Sequence, residues 1–169
     1  MILEPEKVSF TKPKGFLVVE GVNGAGKTTY IKHLVNYLLK EGISPEVTFE
    51  PGGTQVGEKI RAILLGQNSY KLSPLSELFL FAADRAEHIN KKIKPLLAEK
   101  KVVISDRYYY STTAFQGYGR EIPLEIVETI NRLAVQDVYP DLVILLDLEP
   151  SIGLQRIVKS REEKSSDSF

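Results

Sequence analysis

The chain has 169 residues, a length that suits one domain with a substantial core, and its 43% apolar and 26% charged residues argue against a membrane-embedded or disordered class. Lys plus Arg and Asp plus Glu each number 22, so no net field draws the chain to nucleic acid or an anionic membrane, and any anion it binds must be caught locally. The absence of cysteine excludes disulfides and thiolate metal sites and suits a reducing, cytoplasmic setting.

Residues 1–14, MILEPEKVSFTKPK, read as an N-terminal extension too charged and Pro-interrupted for a signal peptide. The domain then runs over 15–169. FLVVE (16–20) predicts a first strand, followed by a helix over 27–41 with Ile31, Leu34, Val35, Leu38 and Leu39 on one face and Gly42 as its C-terminal stop. EVTFE (46–50), KVVISD (101–106) and DLVILLD (141–147) predict further strands, and helices fit 54–66, 73–99, 123–136 and 150–162. Short β-rich runs spaced by helices predict an α/β fold, a parallel sheet flanked by helices on both faces. A ligand is expected at the carboxyl ends of its strands.

The turn after the first strand, EGVNGAGKTT (20–29), fits GxxxxGK[ST] through Gly21, Gly24, Gly26, Lys27 and Thr28, with a strand before it and an amphipathic helix after it. Glycines let backbone N–H groups close on phosphate oxygens, and the helix N-terminus adds positive potential. Lys27 is placed to neutralise β/γ-phosphate charge and Thr28 to ligate Mg²⁺. Asp106, ending the strand KVVIS, reads either as a metal-holding carboxylate or as an ordinary turn residue. Arg107 beside it is either a surface charge or a stabiliser of a transferring phosphoryl group.

On the long helix SPLSELFLFAADRAEHINKKIKPLLAEK, Leu75, Leu78, Phe79, Ala82, Ala86, Ile89, Ile93, Leu96 and Leu97 form a stripe roughly 100° wide, predicted to be the core face. Phe81 and Arg85 fall on one flank outside it, one turn apart. They suit either stacking and edge-bonding of a nucleobase or a partly exposed Phe covered by an Arg stem. His33 and His88 have no cluster around them at metal-ligand spacing. The run YYY at 108–110 lacks the basic groove that nucleic-acid stacking needs.

In order and spacing, FLVVEGVNGAGKTT, FEPGGTQVGEKIR, ELFLFAADRAEHI, VVISDRYYYSTTAFQGYGR and YPDLVILLD resemble the motifs of the bacterial thymidylate kinases, over residues 15–162. The resemblance implies the P-loop nucleoside-monophosphate kinase fold. It also implies Mg²⁺-dependent transfer of the ATP γ-phosphoryl group to dTMP, giving dTDP and ADP for dTTP biosynthesis. A cytoplasmic homodimer is implied, with no nucleic-acid or membrane partner. Carried over, ATP is held by Gly21, Val22, Asn23, Gly24, Ala25, Gly26, Lys27, Thr28 and Thr29, and the metal by Thr28 and Asp106. Phe81 resembles the aromatic under the thymine and Arg85 the residue that bonds its exocyclic oxygen. Ser111, Thr112 and Gln116 match the base-pocket stretch, and Phe115 the aromatic near the sugar. Glu50 and Pro51 match the loop closing on the acceptor, Arg61 a residue reaching its phosphate, and Asn23 a sugar-binding position. Lys27, Arg107, Arg156 and Arg161 match the phosphoryl-transfer cations.

Departures from the family pattern sharpen these expectations. Asn23 stands where many relatives carry an acid, and Gly24 where some place an arginine. Its absence matches the type that supplies arginines from the lid, whose start is read at 150–169. Family members continue past Phe169 through the rest of the lid, a helix and a final strand, so the chain reads as C-terminally truncated, with those elements absent. A P-loop kinase for another nucleoside monophosphate, and a nucleotide-binding remnant without efficient turnover, remain the alternatives.

Overall fold

The computed structural model describes residues 14–66 and 71–166, with backbone alone for 160–166. The elements in chain order are β1 (Gly15–Gly21), α1 (Lys27–Lys40), β2 (Glu46–Phe49), α2 (Gln55–Leu65) and α3 (Pro74–His88). A π-helical turn (Ile89–Ile93), α4 (Lys94–Ala98) and β3 (Val102–Asp106) follow. Then come α5 (Tyr109–Thr112), a second π-helical turn (Thr113–Tyr118), α6 (Leu124–Val135), β4 (Leu142–Leu146) and α7 (Pro150–Ser166). The strands form one parallel sheet in the order β2-β3-β1-β4.

Alternation along the strands loads both faces of that sheet, as strands buried on two sides require. Phe16, Val18 and Val103 face a core shared with Ile89, Ile93, Tyr108 and Val135. Val19, Val102 and Ile104 face the opposite core with Ile31 of α1. From β1 the chain crosses to β2 on one side, and from β3 it crosses to β4 on the other. The carboxyl ends of β1 and β3 therefore flank the crevice where open α/β sheets bind ligands.

Local chemistry sets the helix starts. The Thr54 hydroxyl accepts from Gly57 N at 2.9 Å to cap α2, and Ser73 caps α3 ahead of Pro74. Two expectations need correction. The helix over 73–99 is interrupted by the π-helical turn, and the apolar stripe is only part of its inward face: Leu78, Ile89 and Ile93 are buried as expected, but Leu75 and Phe79 are 46% and 51% exposed, while Asp84, Arg85 and His88 are buried. Hydrogen bonds to other elements hold these polar side chains in the interior, although one Asp84 oxygen has no partner among the described residues. The helical stretch 109–118 was not expected, and α7 runs to Ser166, beyond the predicted 162. No helix among the described residues is long and apolar enough to cross a membrane. Residues 1–13 of the predicted extension and 167–169 lie outside the described residues.

Candidate functional site

The loop between β1 and α1 leaves a cavity of about 590 Å³ lined by Asn23, Gly24, Gly26, Lys27, Thr28, Thr29, Asp106 and Arg107, with Phe49, Glu50 and Arg61 opposite. Gly24 and Gly26 have φ of 82° and 96°, the left-handed region that glycine enters without steric cost. At Gly24 the requirement is doubled, because a Cβ there would collide with the Gly153 carbonyl of α7. That close approach excludes a side chain from position 24 and brings α7 onto the loop, where Arg156 Nη1 donates to Gly24 O at 3.3 Å. Position 24 thus carries no side chain, and the Arg156 side chain reaches the loop backbone from α7. The Arg161 side chain lies outside the described residues.

Lys27 Nζ donates to the carbonyls of Gly21 and Val22 at 2.9 and 3.1 Å. Burial lowers its pKa and the nearby Arg107 guanidinium adds to this, while Asp106 and Glu20 act the other way. The pKa of Asp106 is raised by burial against the opposing pull of Lys27, Arg107 and Arg61. Its Oδ1 is buried with no hydrogen-bond partner among the described residues. An orphaned carboxylate oxygen and the Thr28 hydroxyl in the lining of one cavity are the oxygen donors a hard cation prefers. Among the described residues no group of three or more His, Cys, Asp or Glu could form a metal cage, so a metal here would complete its coordination with ligand oxygens and water.

Arg107 stands at the junction. It holds φ 75°, a conformation that non-glycine residues rarely adopt and that the surrounding bonds enforce. Its backbone N donates to Val19 O at 3.0 Å; Nη1 donates to Ser111 Oγ at 2.7 Å and Nη2 to Asn23 Oδ1 at 2.6 Å. The guanidinium lies 5.4 Å from the centre of the Phe115 ring. Behind it the buried carboxylate of Glu20 accepts from Tyr108 N, Ser111 N and Ser111 Oγ, at 2.9, 3.3 and 2.7 Å. Burial raises the Glu20 pKa, and the three hydrogen bonds and Arg107 resist it. Glu20 ties the turn after β3 to the end of β1, a role that its position in an apolar strand did not announce.

Beyond Arg107 a second cavity, about 510 Å³, is lined by Pro51, Phe81, Arg85, Tyr108, Ser111, Thr112, Phe115 and Gln116. Asn23, Glu50, Arg61 and Arg107 line both cavities. Arg61 Nη1 donates to Pro51 O at 2.6 Å and its guanidinium lies 5.5 Å from the Phe49 ring centre, which holds it across the shared mouth. The structure therefore brings together every candidate acceptor residue. Phe81 is half-buried in the wall. Of the two readings of this pair, an Arg stem covering a partly exposed Phe does not hold for Arg85, which is 1% exposed.

Arg85 is held by three elements: Nε donates to Glu50 Oε2 at 2.8 Å, Nη1 to Asn131 Oδ1 at 3.1 Å and Nη2 to Thr112 Oγ1 at 3.0 Å. The other Glu50 oxygen accepts from His88 Nδ1 at 2.9 Å, and His88 Nε2 meets Thr48 Oγ1 at 2.6 Å. Both Glu50 oxygens are thereby occupied, so Glu50 acts on the cavity through Arg85. Asn131, His88 and Asp84 belong to this network and were missed in the sequence. The Ala-Asp-Arg-Ala-Glu-His run, with polar residues at helical spacing on an otherwise apolar helix, was the available signal.

Asp84 Oδ1 accepts from Gly52 N at 2.9 Å and fixes the turn after Pro51, while its Oδ2 is buried without a partner among the described residues. Burial, then repulsion from Glu50, push its pKa from 3.8 up to about 6. A raised carboxyl pKa means the folded state favours the proton. The associated stability is complete below 3.8 and is lost as pH rises through about 6. Asp84→Asn keeps an oxygen for Gly52 and removes the ionised form. It should stabilise the fold by on the order of 1–3 kcal/mol at about pH 8 and lose that advantage at about pH 4. Urea melts at both pH values check this, and a pH-independent difference would contradict it.

The thymidylate kinase family model matches residues 19–169. The chain is 44% identical over 158 residues to the thymidylate kinase of Desulfosudis oleivorans, covering 91% of this chain and 74% of that one. It is 48% identical over 145 residues to that of Desulforapulum autotrophicum, covering 86% and 64%. With that of Carboxydothermus hydrogenoformans it shares 47% over 148 residues, covering 88% and 72%. Against these three relatives the chain spans between 64% and 74% of their length. A crystal structure of thymidylate kinase from Ehrlichia chaffeensis superposes with a TM-score of 0.74 at 37% identity, over 92% of this chain and 84% of that one. With a P-loop and an aromatic-walled second cavity that share Arg61 and Arg107, on a sheet ordered β2-β3-β1-β4, this chain belongs to the thymidylate kinase family.

Proposed function

We propose that the chain transfers the γ-phosphoryl group of ATP to dTMP, giving dTDP and ADP, with ATP phosphates in the loop cavity and dTMP in the aromatic-walled one. The observation that carries this reading is the shared mouth, where Arg107, Arg61 and Asn23 line both cavities. A phosphoryl group passing between two anionic substrates meets fixed guanidinium donors there, which stabilise charge without reorganisation. Phe81 offers a face for the base, Arg85 presents donors held in place by Glu50, Asn131 and Thr112, and Phe115 crowds the sugar side. Gly21 to Thr29 wrap the donor phosphates. Thr28 and the orphaned oxygen of Asp106 would hold Mg²⁺, which when bound neutralises phosphate charge. Arg156, already on the loop, joins from α7, and Arg161 is assigned the same task.

A homodimer fits the apolar side chains exposed on α3 and α6, among them Phe79 and Leu133. ATP and dTMP as substrates suit a cytoplasmic setting. The test is a coupled ADP-release assay with a panel of nucleoside monophosphates. dTMP should give the highest kcat/KM, and UMP, with a 2′-hydroxyl and no 5-methyl group, should be poor. Equal kcat/KM for dTMP and another monophosphate would overturn the assignment.

A further inference from the structure

Gln116 is 3% exposed in the wall of the aromatic cavity, and its side-chain amide has two faces of opposite character: the nitrogen donates and the oxygen accepts. Which face the cavity receives is decided by what holds the other. Gln116 Nε2 donates to Glu77 Oε1 at 2.7 Å. An ionised carboxylate has no hydrogen to give, so this contact is satisfied in only one orientation of the amide. Glu77 is itself held by Arg120, whose Nε and Nη2 donate to Oε1 and Oε2 at 3.3 and 2.9 Å. This paired contact fixes the carboxylate plane. The Glu77 side chain is 14% exposed and that of Arg120 is 53% exposed, so the chain of bonds runs inward from a solvent-facing guanidinium to a buried amide.

The geometry points to Glu77 as a positioning residue for base discrimination: by accepting one of the two Gln116 Nε2 hydrogens it fixes which way round the amide lies, and so leaves the amide oxygen as the group offered to the base. This inference rests on the dTMP reading of the aromatic cavity. Thymine and cytosine differ where such an acceptor reads them. Thymine carries a hydrogen on N3 and an oxygen on C4, whereas cytosine has a bare N3 and an amino group on C4. Arg85 supplies donors to the same cavity, with three of its N–H groups engaged by Glu50, Asn131 and Thr112 and two left over from its five. A wall with a fixed donor and a fixed acceptor fits the oxygen and N3–H of thymine. It leaves buried polar groups mismatched against cytosine, the situation in which a site rejects an analogue strongly.

Glu77 also lies in the first turn of α3, where an acidic side chain suits the helix N-terminus. A purely structural role would make its loss a matter of melting temperature alone. The experiment therefore reads a ratio. Affinities for dTMP and dCMP are measured by calorimetry, and kcat/KM by ADP release, on the unmodified chain and on Glu77→Gln, Glu77→Met, Gln116→Ala and the two double variants. Glu77→Gln can present either face to Gln116, and Glu77→Met has the bulk without the acceptor. Each should lower the dTMP-over-dCMP affinity ratio roughly tenfold or more. In the Gln116→Ala background neither should change the ratio, because Glu77 acts only through the amide.

An unchanged ratio in either folded single variant, or an equal shift with Gln116 already removed, would overturn the assignment. Binding and turnover separate this inference from the one beneath it. If the unmodified chain bound dTMP but did not phosphorylate it, the kinase reading would fail while the affinity ratio still tested Glu77. Equal affinity of the unmodified chain for dTMP and dCMP would remove the discrimination that Glu77 is assigned to set.

Discussion

Replacing Arg107 with Ala should lower kcat on the order of 10²-fold or more while changing the KM for ATP little. The guanidinium lines both cavities and is aimed by Ser111, Asn23 and the Phe115 ring, so it needs no rearrangement when charge develops between donor and acceptor. Charge on the transferring group and its flanking oxygens is redistributed in the transition state, and donors fixed at that point bind the transition state better than either ground state. The backbone supports this assignment: a left-handed non-glycine residue is a strained conformation, retained where the surroundings over-determine it. Arg107→Lys supplies a control. It keeps the charge but not the planar fork that engages Ser111 and Asn23 together, so most of the loss should persist. Steady-state kinetics with both substrates varied decides the matter. A change confined to KM would demote Arg107 to holding the acceptor phosphate.

The parts of this site legible in the sequence are those whose chemistry is local. The loop from Gly21 to Thr29 announces itself because glycines, lysine and threonine must sit at fixed offsets between a strand and a helix. The strands of the sheet were legible because each is a short apolar run, and α1 because its apolar side chains repeat at helical spacing. The buried network was not legible. Glu50, Arg85, His88, Thr112 and Asn131 come from separate elements, and only the closed fold brings them into contact. A hydrophobic stripe scores Arg85 and His88 as surface, so the predicted core face of α3 was rotated toward Leu75 and Phe79, which the structure leaves exposed. The segment 109–118 escaped because YYSTTAFQGY has no apolar period. Its helical turns, one of them π-helical, are held by contacts to Glu20 and Asn131. Phe81 and Arg85, paired by spacing, line the same cavity at different depths: one is half-buried, the other 1% exposed.

Replacing Lys27 with Ala should reduce turnover roughly 10³-fold while leaving the affinity for dTMP within about a factor of three. The separation follows from where the side chain lies. Lys27 lines the loop cavity and not the aromatic one, and its ammonium is held by the Gly21 and Val22 carbonyls of the loop itself. Phosphate oxygens entering the loop offer this ammonium charged acceptors in place of neutral carbonyls, adding ion-pair attraction to a hydrogen bond that was charged on the donor side alone. Burial and Arg107 both disfavour the ammonium, so the charge is retained at some cost in the absence of anions and is best compensated when they arrive. Its removal leaves the donor phosphates short of one positive charge and leaves the two carbonyls without that donor, a loss of about 1 kcal/mol in stability. A thermal melt establishes that the variant is folded, calorimetry reads dTMP binding, and the ADP-release assay reads turnover. A folded Lys27→Ala chain that no longer bound dTMP would show that the acceptor sits on the loop side of Arg107, reversing the assignment of the two cavities.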